Sequence, residues 1–334
     1  MNAKVRKWAN LMLRLAIMLI TLVFLYRQLF SKGSAWEWRS LIEPLLLPGP
    51  SRSLFFVALS LLPVNILLEA IKWQLIIRPL ENVPLTNALA AVLSGISVSL
   101  FLPNRVGDYL GRIFVLRRAN PAEAVLLTVI GSFSHLLVII MAGAAALLVL
   151  FPAMPFLQFL PVPLTFWTIL MLSIIVIGLS VATYFNLRLL KRVFSGRKGW
   201  MHRLEQLLGA YDLLSNSRLL WAILLSAARY LVYCTQFYLL ILAFGYRLPY
   251  VEGLTLISLI YLLMTLIPTI AISELGIRGS VAVAVFTMYA VDDASHTGMV
   301  VLAASSVLWL INLAFPALLG ALTVNRLRFI RSND

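Results

Sequence analysis

Charge is scarce in this chain. Only 12% of its 334 residues are Asp, Glu, Lys or Arg, where a soluble domain carries about 25%. That shortage excludes an ordinary soluble globular domain. Cysteine is scarcer still. The single Cys234 lies in an apolar run, so an internal disulfide and a cysteine metal cluster are both excluded. The three histidines, His135, His202 and His296, are far apart, and none has the H-x-x-x-H spacing of a metal site. No P-loop, G-x-G-x-x-G or G-x-S-x-G stretch occurs. No catalytic residue, metal or cofactor is therefore expected. Acids are fewer than bases, 13 against 27, for a net charge of +14. In a soluble protein that balance suggests nucleic acid. Here no helix-turn-helix, RNP or zinc-finger pattern accompanies it. The bases sit between apolar runs, where they set orientation and meet anionic headgroups. Membrane lipids, not nucleic acid, are the expected partners.

What the chain has is apolar length. Hydrophobic residues make up 61% of it and the mean hydropathy is +0.95. Runs of about 20 residues, enough for a helix to cross hydrocarbon, recur at 8–30, 53–77, 122–150, 164–185, 218–244 and 297–323. The first follows Lys4, Arg6 and Lys7 but exceeds a signal-peptide core and lacks an A-x-A-like site, so it reads as a retained span. Two further regions, 87–118 and 253–290, are broken near their middles by Pro, Gly and charged residues.

Basic residues orient the chain through their preference for the cytoplasmic side. Lys4, Arg6 and Lys7, the six bases of 186–203, and Arg326, Arg328 and Arg331 are expected inside. The uncharged loop 151–163 and the Asp292–Asp293 turn are expected outside. Both termini are then cytoplasmic, in a bacterial inner membrane. Arg78 and Arg117–Arg118 must share the inner face, so 87–118 enters and leaves on one side. By the same parity 253–290 enters and leaves on the outer side. The expected fold is an all-α polytopic integral membrane protein, one transmembrane domain over 1–334. It has two inverted halves, 1–151 and 164–325, each with three spans plus one broken, re-entrant helical hairpin. Inverted repeats with interrupted helices are the architecture of many secondary transporters, whose sites lie at the breaks.

The first broken segment reads SLFLPNRVGDYLGR (99–112) and the second TLIPTIAISELGIRG (265–279). In each, a hydroxyl residue precedes a proline, an acid follows, and an arginine comes four residues after the acid. That spacing puts Asp108 with Arg112, and Glu274 with Arg278, on one helix face. Pro103 and Pro268 stop a preceding helix, and Gly107, Gly111, Gly276 and Gly279 are expected to serve the same breaks. A charge within a span costs at least ~2.5 kcal/mol, so two matched acid–arginine elements ask for an explanation. One reading is structural: internal salt bridges brace the hairpins. The other is functional: Arg105, Arg112 and Arg278 attract an anionic headgroup while Asp108 and Glu274 hold or gate them. Arg229 lies halfway along 218–244, too deep to snorkel, with Glu274 or Asp108 as expected partners. Glu69 and Lys72 read as an interfacial snorkelling pair. Asn65 and Asn312 read as interhelical glue, and His135 as an interhelical hydrogen-bonding group or a proton relay. Trp36, Trp38, Trp200 and Trp221 suit interfacial belts.

With those residues in view, LPNRVGDYLGRIFVLRR resembles the P-x-R-x-G-(D/E)-x-x-x-R signature of the lysylphosphatidylglycerol synthase transmembrane-region family. LIPTIAISELGIRG resembles that family's second signature, with Ser273 and Glu274 where two glycines are common. The resemblance covers about 10–325 and implies lipid translocation between leaflets. Lysyl transfer in such proteins belongs to a separate soluble domain, so with the chain ending at Asp334 synthase activity is not expected. The leading expectation is a flippase-like translocase of an anionic or phosphate-bearing lipid, since arginine favours phosphate. Two alternatives use the same residues: a secondary transporter of a small soluble anion, and a membrane-embedded lipid-linked transferase. Oligomeric state is not legible.

Overall fold

The computed structural model describes residues 48–100, 106–151, 162–188, 207–268, 271–289 and 294–323. The expected span 8–30, Pro103, Arg105, most of the basic loop 186–203, the Asp292–Asp293 turn and the basic tail fall outside them, as do Trp36, Trp38 and Trp200. The described residues form an all-α polytopic membrane protein with no strand among them. In order the helices are α1 (Pro50–Ile77), α2 (Leu85–Ser99), α3 (Val106–Ile113), α4 (Pro121–Leu150), α5 (Val162–Phe185), α6 (Asn216–Ala243), α7 (Tyr250–Leu266), α8 (Ala271–Tyr289), α9 (Ala294–Trp309) and α10 (Phe315–Thr323). A π-turn, Leu310–Ala314, joins the last two into one continuous rod. Five helical segments are long and apolar enough to cross a membrane. They coincide with the five apolar runs that lie among the described residues.

Local sequence explains the boundaries. Asn120 caps α4 by accepting a hydrogen bond from the Ala122 N–H at 3.0 Å, with Pro121 in the first turn. Ser215 accepts from the Arg218 N–H at 3.3 Å and starts α6. At 15 and 8 residues, α2 and α3 reach only ~22 and ~12 Å, short of the ~30 Å hydrocarbon core. Helix α3 folds back antiparallel along α2. A Cβ on Gly111 would sit 2.6 Å from Gly95 Cα, and one on Gly107 would meet the Val98 carbonyl. Gly107 and Gly111 are therefore not breaks. They lie inside α3 and let two backbones touch, the use small residues find in membrane bundles. Gly276 and Gly279 likewise lie inside α8. The interruption in the second segment is at Pro268, between the end of α7 and the start of α8.

Each broken segment returns to where it began. The Glu81 carboxylate, before α2, accepts the backbone N–H groups of Arg117, Arg118 and Ala119, after α3, at 3.0, 2.8 and 3.1 Å. The Tyr289 hydroxyl, at the end of α8, donates to Glu252 near the start of α7 at 2.7 Å.

The core is built on the antiparallel pair α1–α6, the most extensive helix contact among the described residues. Helix α2 packs on α10, with Ser97 donating to the Ala317 carbonyl at 2.6 Å and Gly320 against Leu93. Helix α7 packs on α4, with Gly143 against Leu262. Helix α5 lies at the periphery. Its Trp167, Leu172, Ile175 and Leu179 are exposed, as is Trp221 on α6, as expected of residues facing lipid.

Helix positions repeat at a nearly constant offset. Helices α1 and α6 are each 28 residues long and stand 166 positions apart at both ends, 50 to 216 and 77 to 243. Helices α2 and α7 start 165 apart, at 85 and 250. So do α3 and α8, at 106 and 271.

Candidate functional site: a buried charge network beside a central cavity

Glu69, on α1, is the hub of the charged interior. It is 3% exposed. Its Oε1 accepts from Arg112 Nη1 at 2.7 Å, and its Oε2 meets Lys72 Nζ at 2.8 Å and Arg229 Nη1 at 2.7 Å. Arg112 gives its other nitrogens to Asp108, Nε donating to Oδ1 at 3.0 Å and Nη2 to Oδ2. Arg229 Nε donates to Asn65 Oδ1 at 2.7 Å. From Asn65 the network continues through Asn312 on the π-turn to Gln236, and from Gln236 to the Ala58 carbonyl. A π-turn widens the backbone locally and is frequent at functional sites; here it carries the amide that bridges α1 and α6.

A second cluster lies on the other broken segment. Arg278 Nη2 pairs with Glu274 Oε1, and Nη1 donates to the Tyr233 hydroxyl at 3.2 Å. Glu274 and Arg278 are 5% and 4% exposed.

A cavity of about 650 Å³ lies between the two clusters. Glu69 and Arg229 line one side, Glu274 and Arg278 the other. Tyr109, Tyr230, Tyr233 and Tyr261, with Phe133 and His135, complete the wall. Rings follow one another across it: His135 to Tyr230 at 6.4 Å between centroids, Tyr230 to Tyr261 at 6.1 Å, Tyr261 to Tyr233 at 5.4 Å. The wall reaches the apolar outer surface at Val129, Leu266 and Ile267, all exposed. Those residues, on α4 and at the end of α7, give the cavity lining an exposed apolar edge among the described residues.

Four of the buried side-chain atoms without a hydrogen-bond partner belong to residues of this wall: His135 Nδ1, Tyr230 Oη, Tyr261 Oη and Arg278 Nε. Leaving such a group unpaired costs about 1–3 kcal/mol. Arg229 keeps Nη2 unengaged among the described residues.

The sequence-derived residues sort into three groups. Arg229, Glu274 and Arg278 line the cavity. Asp108 and Arg112 do not; every nitrogen of Arg112 is turned onto a carboxylate, so it braces α3 against α1. Arg105 lies outside the described residues. Two expectations are corrected. Arg229 pairs with Glu69 and Asn65, because the α1–α6 crossing brings those side chains to its level, and not with Glu274 or Asp108. Glu69 and Lys72 are buried, not an interfacial pair, since α2, α4 and α6 pack on α1. Asn65 and Asn312 do join helices. The tyrosine row was not legible, because its members are spread over three helices with no local motif. No group of three or more His, Cys, Asp or Glu among the described residues is placed to hold a metal ion.

The family described as "Lysylphosphatidylglycerol synthase TM region" matches residues 11–320. The chain belongs to that family and is a multi-pass membrane protein of a lipid-related class. No curated protein and no solved structure matches it.

Proposed function

We propose that the protein is a lipid translocase, moving a phosphate-bearing lipid between leaflets through the cavity between its two broken helical hairpins. The observation that carries this reading is the cavity itself. Its lining combines the charged residues Glu69, Arg229, Glu274 and Arg278 with the exposed apolar residues Val129, Leu266 and Ile267. A headgroup can occupy the polar interior while acyl chains remain in lipid. Arginine at Arg229 and Arg278 suits phosphate.

The two hairpins are re-entrant in this reading, and the halves are inverted repeats. The offset of 165–166 residues relates α1, α2 and α3 to α6, α7 and α8. Asp108 and Arg112 correspond to Glu274 and Arg278 at the same 166. Packing obeys the exchange as well: α2 on α10 is the counterpart of α7 on α4, and α1 on α6 maps onto itself. Such an arrangement lets one half rock against the other around a fixed site. The protein is not an enzyme in this account, its partners are membrane lipids, and it sits in a bacterial inner membrane with both termini cytoplasmic.

A soluble-anion transporter needs the same arginines but a cavity sealed from lipid, so the exposed apolar edge of the lining favours the translocase. The test is reconstitution of the full chain into vesicles carrying a headgroup-labelled phospholipid and an entrapped soluble anion. Transfer of the label between leaflets with the anion retained supports the proposal. Anion efflux without lipid transfer contradicts it.

A further inference from the structure

We infer that the second broken hairpin is the moving part of the molecule. Helix α8, carried on α9, swings away from α7, and the hydrogen bond between Tyr289 and Glu252 is the latch that holds it closed. The first hairpin, α2 with α3, stays shut. Which element moves is independent of what is carried, so the inference goes beyond the translocase proposal.

Three observations carry it, each a difference between two hairpins of the same plan. The first is packing. In the first hairpin the most extensive contact of each arm is with the other arm. The arms meet backbone to backbone, Gly111 against Gly95 and Gly107 against Val98. In the second hairpin neither arm packs best on its partner. Helix α7 makes a more extensive contact with α4, and α8 with α9. The α8–α9 seam is close: a Cβ on Gly279 would stand 2.5 Å from Leu302 Cδ1, and one on Gly298 3.4 Å from Val283 Cγ1. The two arms of one hairpin therefore belong to two packed units, α4–α7 and α8–α9.

The second observation is what lies between those arms. A cavity of about 270 Å³ separates them, lined by Leu256, Leu259 and Leu263 of α7 and by Val281, Val285 and Met288 of α8. Close-packed interiors leave few such voids. A seam that is not interdigitated has few side-chain contacts to lose when its walls part, and low local packing marks the segments that open at small cost.

The third is fastening. The open end of the first hairpin is closed by Glu81, whose carboxylate accepts three successive backbone N–H groups. Its arm α3 is also tied to α1, Arg112 meeting Glu69 at 2.7 Å. The arms of the second hairpin meet at their open end through the Tyr289 hydroxyl, which donates to Glu252 Oε2 at 2.7 Å in an exposed position. Tyr289 also lines the cavity, so latch and gap adjoin. At the other end the backbone is extended at Ile267, and Pro268 follows with no N–H to give. A few residues of that kind absorb the dihedral change of a hinge.

Spin labels test the motion in the full chain, reconstituted into vesicles of phosphatidylglycerol and phosphatidylethanolamine. One pair spans the second hairpin, Val251→Cys with Ala284→Cys. The other spans the first, Leu85→Cys with Arg117→Cys. All four positions are exposed, whereas Cys234 is buried. Pulsed electron paramagnetic resonance is expected to give two distances across the second hairpin and one across the first. Tyr289→Phe is expected to raise the ratio of the longer to the shorter distance about fivefold, as for the loss of one hydrogen bond, and to leave the first hairpin unchanged. Glu81→Gln is expected to keep the first hairpin at one distance, because the glycine seam still holds it. A second-hairpin distribution that Tyr289→Phe leaves unchanged overturns the inference. So does a first hairpin with two distances in the wild type. Opening of the second hairpin with no transfer of lipid between leaflets contradicts the translocase proposal and leaves this inference standing. Lipid transfer with the second hairpin fixed at one distance does the reverse.

Discussion

Arg229 Nη1 and Glu69 Oε2 meet at 2.7 Å across the α1–α6 crossing, 160 residues apart in the chain. This pair couples the two halves of the molecule at the cavity wall, and Glu69 extends the coupling to Arg112 on the first broken segment. One carboxylate thereby compensates three cations drawn from α1, α3 and α6.

Removing that carboxylate's charge is expected to be costly. Glu69→Gln leaves Lys72, Arg112 and Arg229 with only Asp108 to answer them. Breaking a buried pair by removing one partner costs about 3–5 kcal/mol. The thermal unfolding midpoint of purified Glu69→Gln is expected to fall well below wild type. Arg188, whose pairing with Asp212 is exposed, provides the contrast: Arg188→Gln is expected to change the midpoint little.

The glycines that lie between the acid and the arginine of each broken segment, Gly111 and Gly276, are expected to behave differently. Gly111→Ala would drive a methyl into the Gly95 backbone, whereas Gly276→Ala meets nothing within 4 Å. Overpacking of this kind costs about 1–3 kcal/mol. Thermal unfolding of the two variants is expected to separate them, with only Gly111→Ala destabilised. Equal loss in both would mean that helix propensity, not backbone contact, governs these positions.

The hairpins fix a topology that thiol labelling can read. Cys234 is 1% exposed, so introduced cysteines dominate the signal. Glu81→Cys and Arg118→Cys are expected to be labelled from the same face, since Glu81 touches the Arg118 backbone at 2.8 Å. Glu252→Cys is expected to be labelled from the opposite face. Labelling of positions 118 and 252 from one face would remove the inverted-repeat reading.

Much of this arrangement is legible in the sequence, for identifiable reasons. Apolar run length fixes a span almost to the residue, as 53–77 against Pro50–Ile77 and 218–244 against Asn216–Ala243. Pro268 marks an interruption because it removes a backbone donor, while Pro63 is accommodated inside α1, and the i, i+4 spacing places Asp108 on Arg112 and Glu274 on Arg278 before any fold is known. What the sequence withholds is rotation. Which helix faces which decides that Glu69 is a hub and not an interfacial anchor. It also decides that Arg112 turns inward while Arg278 lines the cavity, and that four tyrosines form one wall. Glycine is equally ambiguous: at Gly107 and Gly111 the same residue that can break a helix serves to bring two helices into backbone contact.

The central claim is that lipid crosses by way of this cavity, and the exposed apolar edge of its lining provides the direct test. Val129, exposed at that edge, can be replaced by cysteine and modified with a bulky thiol reagent after reconstitution into vesicles. Unmodified Val129→Cys is expected to transfer labelled lipid between leaflets at the wild-type rate, and the modified protein to stop. Undiminished transfer with position 129 fully modified would contradict the account.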